Sequence, residues 1–357
     1  MIQTAANETR LARVVDVFER YPDRNNLARV LGRLAPRVVI IDGEDLELAV
    51  RCAGAVRQQV PEAALIGVST YDDTFDTLRQ IIPVTVPYPP NIELLGEALS
   101  VAVHRGEARY VENLIAFLPA KGGVGASTIA LNTAAAMASS GKKTVLMDAD
   151  LRSGALSLML NCLPCGSMQK ALEGAADEET FNWKPYITHA HDVDFVLSAR
   201  VPVVPPPTWA HYHVLIQSAV ARYDTVLADL PELVNPGTVE IVKSARYVMV
   251  VATQEVLPLK MAERRMSELM EWGVPPDRIK LLVNRWHKKE IGKEEIEKFV
   301  RRPVYATFAN DFQTVRRAMM DGAPVAASTG LGHDYQAFVQ ALNGVKVSSG
   351  WLSKLRG

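Results

Sequence analysis

The sequence predicts an α/β fold in two domains, on three observations. Short β-branched runs alternate with apolar residues at helical spacing, the pattern of a parallel sheet carrying helices on its faces. The alternation runs twice, before and after about residue 108, in a chain of 357 residues, which is long for one domain. The second series opens on a strand, a glycine-rich loop and an alanine-rich helix in immediate succession.

In the first series, Leu11, Val14, Val15 and Phe18 fall at helical spacing, and Leu27, Val30, Leu31 and Leu34 do so again. Residues 37–41 read as a buried strand ending at Asp42. A second strand is expected at 64–68, followed by Ser69 and Thr70, and a third at 84–86, stopped by prolines at 87, 89 and 90. Residues 92–103 close the series as an amphipathic helix, and a charged linker follows. In the second series strands are expected at 114–118, 144–147, 195–197, 225–228, 247–252 and 279–283. The helix over 128–140 has Gly141 placed to end it. The expected bounds are 1–108, 109–345 and a tail at 346–357.

Composition narrows the function classes. Hydrophobic residues at 48% and charged ones at 22% are ordinary for a globular protein. A net charge of -1 argues against a surface built wholly to neutralise nucleic-acid phosphates, so DNA is not an expected partner. Three cysteines give no disulfide framework and fit a reducing cytosol. Residues 1–13 are polar, and no apolar run approaches the roughly 20 residues of a membrane span. The expected address is the cytoplasm, at most peripheral at the inner face of the membrane.

The loop reads Lys121, Gly122, Gly123, Val124, Gly125, Ala126, Ser127, Thr128. Its glycines let the backbone approach an anion closely, and its amides and the following helix N-terminus point at that anion: a phosphate cradle. The common form GxxxxGK[ST] has its lysine where Ala126 stands. With a lysine opening the loop instead, the stretch resembles the deviant Walker motif of the MinD/ParA ATPases. The resemblance implies ATP and Mg as ligands and a homodimer through the ATPase domain. It gives residues 122–128 to the nucleotide, Ser127 also to Mg, and Lys121 to the partner's nucleotide as a catalytic cation. It gives Asp148 to the metal shell, Asp150 to the attacking water, Asp229 to the metal as the Walker B carboxylate, and Asn284 with Arg285 to adenine. Residues 308–311 resemble the loop that closes over the base. Losing one preorganised cation at Ala126 costs phosphoryl transfer on the order of 100-fold or more, so weak hydrolysis is expected.

Within that family the resemblance narrows to the CpaE/TadZ proteins of Flp (Tad) pilus assembly. The alanine at 126, the runs 281–285, 303–307 and 310–311, and the fused first domain carry it. It implies a receiver-like (flavodoxin-like) first domain and a localisation factor working with the pilus secretion ATPase or other Tad components. Asp42 and Ser69 or Thr70 match the receiver pattern, and Tyr88 with Pro89 replaces its Lys-Pro. The acidic metal-binding pair of a receiver has no counterpart, so the domain reads as a docking or dimerisation module. In the tail, Trp351, Leu352 and Leu355 share a helical face beside Lys354 and Arg356, which resembles the membrane-binding helix of MinD relatives and implies a weak membrane-surface contact.

Two other functions stay open. One is a ParA/MinD-type partition or positioning ATPase, with Arg264, Arg265, Arg285, Lys288, Lys289, Arg301 and Arg302 as a basic patch. The other is an iron–sulfur carrier using Cys162 and Cys165. That pair lacks further ligands at metal spacing, and His189, His191, His211 and His213 lack carboxylates at such spacing. Incidental thiols and surface or loop histidines are therefore expected.

Overall fold

The computed structural model describes residues 2–9, 12–61, 63–70, 73–82, 84–103, 110–175, 181–199, 207 and 209–344. The chain divides into two compact units, Met1–Arg109 and Tyr110–Gly357. The expected tail lies outside the described residues, as does most of the linker. Among the described residues no helix is long and apolar enough to cross a membrane.

The first unit runs α1 (Ile2–Glu8), α2 (Arg24–Leu34), β1 (Val38–Asp42), α3 (Leu46–Gln59), β2 (Ala64–Ser69), α4 (Asp73–Ile81), β3 (Thr85–Pro87) and α5 (Ile92–Val103). Its three strands form one parallel sheet in the order β1-β2-β3. Asp23 starts α2 by accepting from the amides of Asn25 and Asn26, and Asp45 starts α3 by accepting from Leu48. The helix expected around Val14, Val15 and Phe18 is not there: residues 12–18 carry no helix, and the first helix lies earlier. Side chains compete for that backbone, since Asn7 accepts from the amide of Val14 and Asp16 from that of Val17. Val15 and Phe18 are correspondingly exposed.

The second unit begins with β4 (Val111–Pro119), α6 (Ala126–Ser139), β5 (Thr144–Asp148), α7 (Leu156–Met159), α8 (Met168–Gly174), β6 (Thr188–Ala190) and β7 (Val193–Val196). It continues through α9 (Trp209–Arg222), β8 (Thr225–Asp229), α10 (Pro236–Ser244), β9 (Ala245–Thr253), α11 (Val256–Glu271), β10 (Ile279–Trp286) and α12 (Lys293–Val300). It closes with β11 (Val304–Ala309), α13 (Phe312–Met320) and α14 (Gly330–Leu342). Eight strands form one sheet in the order β11-β10-β9-β4-β8-β5-β7-β6, parallel except where β6 meets β7.

Strand periodicity sorts the core into two layers. Leu114, Ala116 and Leu118 of β4 enter one buried cluster, while Ile115 and Phe117 enter the other. The same split separates Val226 and Ala228 from Leu227 on β8. One layer is closed by α8 to α12 and the other by α6 and α14, so both faces of the sheet are covered. In such a sheet, ligand-binding loops gather at the carboxyl ends of the strands. There β4, β5, β8 and β10 end at Pro119, Asp148, Asp229 and Trp286.

Candidate functional site

The central strand β4 leads straight into the glycine loop, and the amide of Ala120 donating to Val251 O fixes its start. Gly123 and Gly125 sit at φ 82° and 91°, where a side chain would strain the backbone. Gly125 caps α6 without any side-chain hydrogen bond. None of the described loop and cap hydrogen bonds uses the backbone N–H of residues 121–128, and the first turn of a helix has no acceptor of its own. A glycine loop whose amides meet the positive end of a helix dipole makes an anion nest. Ala126, the first residue of α6, is 5% exposed and packed into the core, so it adds no charge to that nest. Lys121 is exposed on the loop.

Beside the nest stands a group of carboxylates. β5 and β8 are neighbours in register with Asp148 opposite Asp229, so both side chains leave the sheet on the same face at the same level. Asp148 is 0% exposed and neither of its carboxylate oxygens has a well-formed hydrogen bond, although the backbone amides of Ser198 and Asp150 lie near enough to pull its carboxyl down in part. Asp229 is equally buried, with Oδ1 unpartnered, and its other contact is a hydrogen bond from Ser127. Burial pushes the Asp229 carboxyl up to about 7, with Ser127 pulling it down and the charge of Asp150 adding to the rise. Burial, then Asp229 and Asp150, push Asp148 well above the usual carboxylate range. Orphaned buried carboxylate oxygens are costly unless a proton or a cation compensates them.

A magnesium ion fits this arrangement. Mg²⁺ keeps several waters and takes one or two protein oxygens together with phosphate oxygens, rather than an all-protein cage. Ser127 and Asp229 supply such oxygens, with Asp148 behind them. Among the described residues there is no group of three or more His, Cys, Asp or Glu that could hold a metal ion. Asp150 lies at the rim, and its Oδ1 accepts from the amides of Arg152 and Ser153. Ser198 Oγ donates to the carbonyls of Asp148 and Asp150, and Gly154 lies so close that a Cβ there would fall 2.5 Å from Asp148 Oδ2.

On the other side of the loop a cleft of about 660 Å³ opens between Gly125, Thr128, Asn284, Arg285, Asn310 and Phe312. Asn284 Nδ2 donates to Val124 O at 2.8 Å, and Arg285 Nη2 donates to Gly123 O at 2.8 Å. Gln254 braces the chain just beyond, accepting from His287 N and donating to the carbonyls of His287 and Ile291. Asp311 caps α13 through Thr314. The structure thus gathers Lys121, Ser127, Asp148, Asp150, Asp229, Asn284 and Arg285 around one loop.

Two residues at the site escape sequence reasoning. Glu232, in the loop after β8, places Oε2 where a Cβ on Gly122 would come within 2.5 Å, while Arg265 holds its carbonyl. Tyr212 of α9 is buried, and burial with the charge of Asp150 pushes its phenol up. Only Pro231 beside Glu232 carries a sequence signal, as the turn after a Walker B strand; Tyr212 carries none.

The histidines need correcting in part. His213 lies on α9 and pairs at 2.7 Å with the buried Glu240 of α10, and His189 on β6 pairs at 2.8 Å with Asp194 across the antiparallel edge. Glu240 comes from a distant part of the sequence, and Asp194, five residues from His189, meets it only because the chain folds back between β6 and β7. Cys162 is half-buried and Cys165 exposed, both as free thiols.

Comparison with known proteins agrees with this geometry. Residues 110–267 match the ParA family model, described as NUBPL iron-transfer P-loop NTPase. The septum site-determining protein MinD of Thermotoga maritima is 24% identical over 187 residues, 52% of this chain and 68% of that protein. The chromosome partitioning protein ParA of Myxococcus xanthus is 26% identical over 194 residues, 50% of this chain and 66% of that protein. Among solved structures, a ParA family ATPase from Chlorobium tepidum superposes with a TM-score of 0.58 at 20% identity, covering 64% of this chain and 98% of its own. MinD from Pyrococcus horikoshii, solved with Mg-ADP, does so with a TM-score of 0.54 at 21% identity, covering 67% and 97%. These matches establish an α/β P-loop NTPase fold.

Proposed function

Since the chain carries a P-loop NTPase domain of the ParA/MinD type, we propose that it is a nucleotide-gated positioning factor: it binds Mg-ATP, pairs with a second copy, and hydrolyses slowly. The observation that carries this reading is the glycine loop over residues 121–128 beside the buried Asp148 and Asp229, whose unpartnered carboxylate oxygens call for a cation. When bound, the metal supplies positive charge to the phosphate oxygens. The chain's own part is to hold the phosphates on backbone amides, to orient the metal shell with Ser127, Asp229 and Asp148, and to place Asp150 near the attacking water. Ala126 leaves each copy without its own phosphate-reaching lysine. Lys121 then acts on the partner's nucleotide, which ties charge neutralisation to dimerisation.

The cellular task under this reading is positioning or partition, in line with relatives named as a septum site-determining protein and a chromosome partitioning protein. Assembly of a Flp (Tad) pilus is the finer assignment. It is supported by the alanine at 126 and by a separate first unit whose strands β1 and β2 end at Asp42 and Ser69, as in a receiver that has lost its phosphotransfer residues. A DNA-affinity measurement against salt separates the two tasks: a partition ATPase shows steep salt-dependent binding, and a pilus factor none. The nucleotide reading itself is tested by thermal unfolding. A ligand that binds only the folded state raises Tm, so millimolar Mg-ATP raises it, and Ser127→Ala and Asp229→Asn diminish the rise. An unchanged Tm at millimolar nucleotide rejects the reading.

A further inference from the structure

We propose that Ser198 and Gln169 are positioning residues for Asp150: together they hold the backbone of residues 148–151, and so aim the carboxylate that orients the attacking water. This deepens the slow-hydrolysis reading and rests on it. β5 ends at Asp148, and one further ladder bond follows, from the amide of Ala149 to Asp229 O. Beyond it the chain needs other partners. Ser198 Oγ donates to Asp150 O at 2.8 Å and to Asp148 O at 3.1 Å. Two carbonyls that share one hydroxyl at those distances lie closer than the about 6.5 Å at which an extended strand sets them, so Ser198 bends the chain here. Gln169 Nε2 donates to Leu151 O at 3.2 Å, and its Oε1 accepts from the amide of Ala199 at 3.1 Å. Asp150 and Leu151 are neighbours in the chain, as are Ser198 and Ala199, so the bonds close into a ring.

The ring is anchored and buried. The amide of Met168 donating to Leu197 O ties the start of α8 to the chain leaving β7. Gln169 is 0% exposed and Ser198 3%. A buried side-chain amide is costly unless both its oxygen and its nitrogen find partners, and both of Gln169 do. Gly154 closes over the ring: a Cβ on it would meet Ser198 Cβ at 2.7 Å and Asp150 O at 2.8 Å, so the turn leaving Asp150 packs onto the residue that holds it. With its main chain held, Asp150 fixes its side chain through that turn, Oδ1 accepting from the amides of Arg152 and Ser153 while Oδ2 takes part in neither bond. A carboxylate that orients water is sensitive to such support, since a misplacement of about 1 Å costs on the order of 100-fold in rate.

The test asks whether these side chains act through Asp150. Steady-state ATPase of the full chain, at one saturating protein concentration, gives kcat and KM beside the Mg-ATP rise in Tm. Ser198→Ala lowers kcat roughly 10- to 100-fold while KM and the Tm rise keep their wild-type values. Ser198→Thr, which keeps the hydroxyl, restores most of the loss. Gln169→Glu keeps the shape but donates to Leu151 O only while protonated, so its kcat relative to wild type falls as pH rises. In an Asp150→Asn background Ser198→Ala costs nothing further, because the carboxylate it aims is already gone. If Ser198→Ala folds poorly, the pH profile of Gln169→Glu decides in its place. Unchanged kcat in Ser198→Ala, an equal loss in Ser198→Thr, a Gln169→Glu profile parallel to wild type, or additive losses with Asp150→Asn overturns the positioning role. Wild-type protein whose Tm rises with Mg-ATP but which turns over none overturns it too, whereas wild-type protein without that rise overturns the nucleotide reading itself.

Discussion

Asp229 concentrates the electrostatics of the site in one side chain. Its folded-state carboxyl titrates near 7 against a usual value of 3.8, so the folded state holds a proton that the unfolded chain has already released. The sign follows from linkage: this group's stabilising contribution is complete below the unfolded pKa, about 4, and is lost as pH rises through about 7. Unliganded protein therefore loses Tm between about pH 4 and 7, and Asp229→Asn flattens that loss. The same substitution removes a buried charge, stabilising unliganded protein at pH 8 by roughly 1–3 kcal/mol while costing the magnesium-dependent rise. Melting curves of both proteins across that range check this; parallel pH profiles would show that Asp229 does not carry the proton. Asp229 and Ser127 were legible in the sequence because a hydrophobic strand and a glycine loop announce them. Glu232 and Tyr212 were not, because their approach to Gly122 and Asp150 depends on how strands and helices pack, which no local spacing records.

At the scale of elements, α6 matters most, since its first turn is the nest and its body is core. Asn132 anchors it: Nδ2 donates to Thr128 O, Oδ1 accepts from Val325 N, and the Tyr335 hydroxyl of α14 bonds the same side chain. Asn132→Ala leaves the buried Val325 amide without its acceptor, at a cost of roughly 1–3 kcal/mol. Urea unfolding measures the loss; a variant as stable as wild type would show that the helix is held by apolar packing alone. Gly125→Ala acts on the same element from its other end, through a strained φ and overlap with Asn284. It abolishes the Mg-ATP rise in Tm even where the protein folds, and a preserved rise would refute that account of the cap. The strands of the second unit were legible because parallel strands buried on both faces are continuous apolar runs. The exceptions are β6, three residues with a polar centre whose His189 meets Asp194 on the next strand, and the edge strand β11, whose burial alternates residue by residue. In the first unit, the helical spacing of Val14, Val15 and Phe18 misled because local side-chain acceptors outcompete a short helix there.

For the whole molecule, the account makes the missing lysine at Ala126 and the exposed lysine at Lys121 two halves of one design. On the proposed reading, each copy binds nucleotide on amides, and the charge needed for turnover comes from its partner. Specific ATPase activity then rises with protein concentration, and Lys121→Ala removes both that activity and the pairing. The most direct measurement is the molar mass by light scattering over a dilution series, with Mg-ATP, without magnesium, and for Lys121→Ala. The account predicts a doubled mass for wild type with Mg-ATP alone, falling to the single-chain value on dilution. A wild-type mass unaffected by Mg-ATP, or a Lys121→Ala variant that doubles its mass as readily, would contradict it.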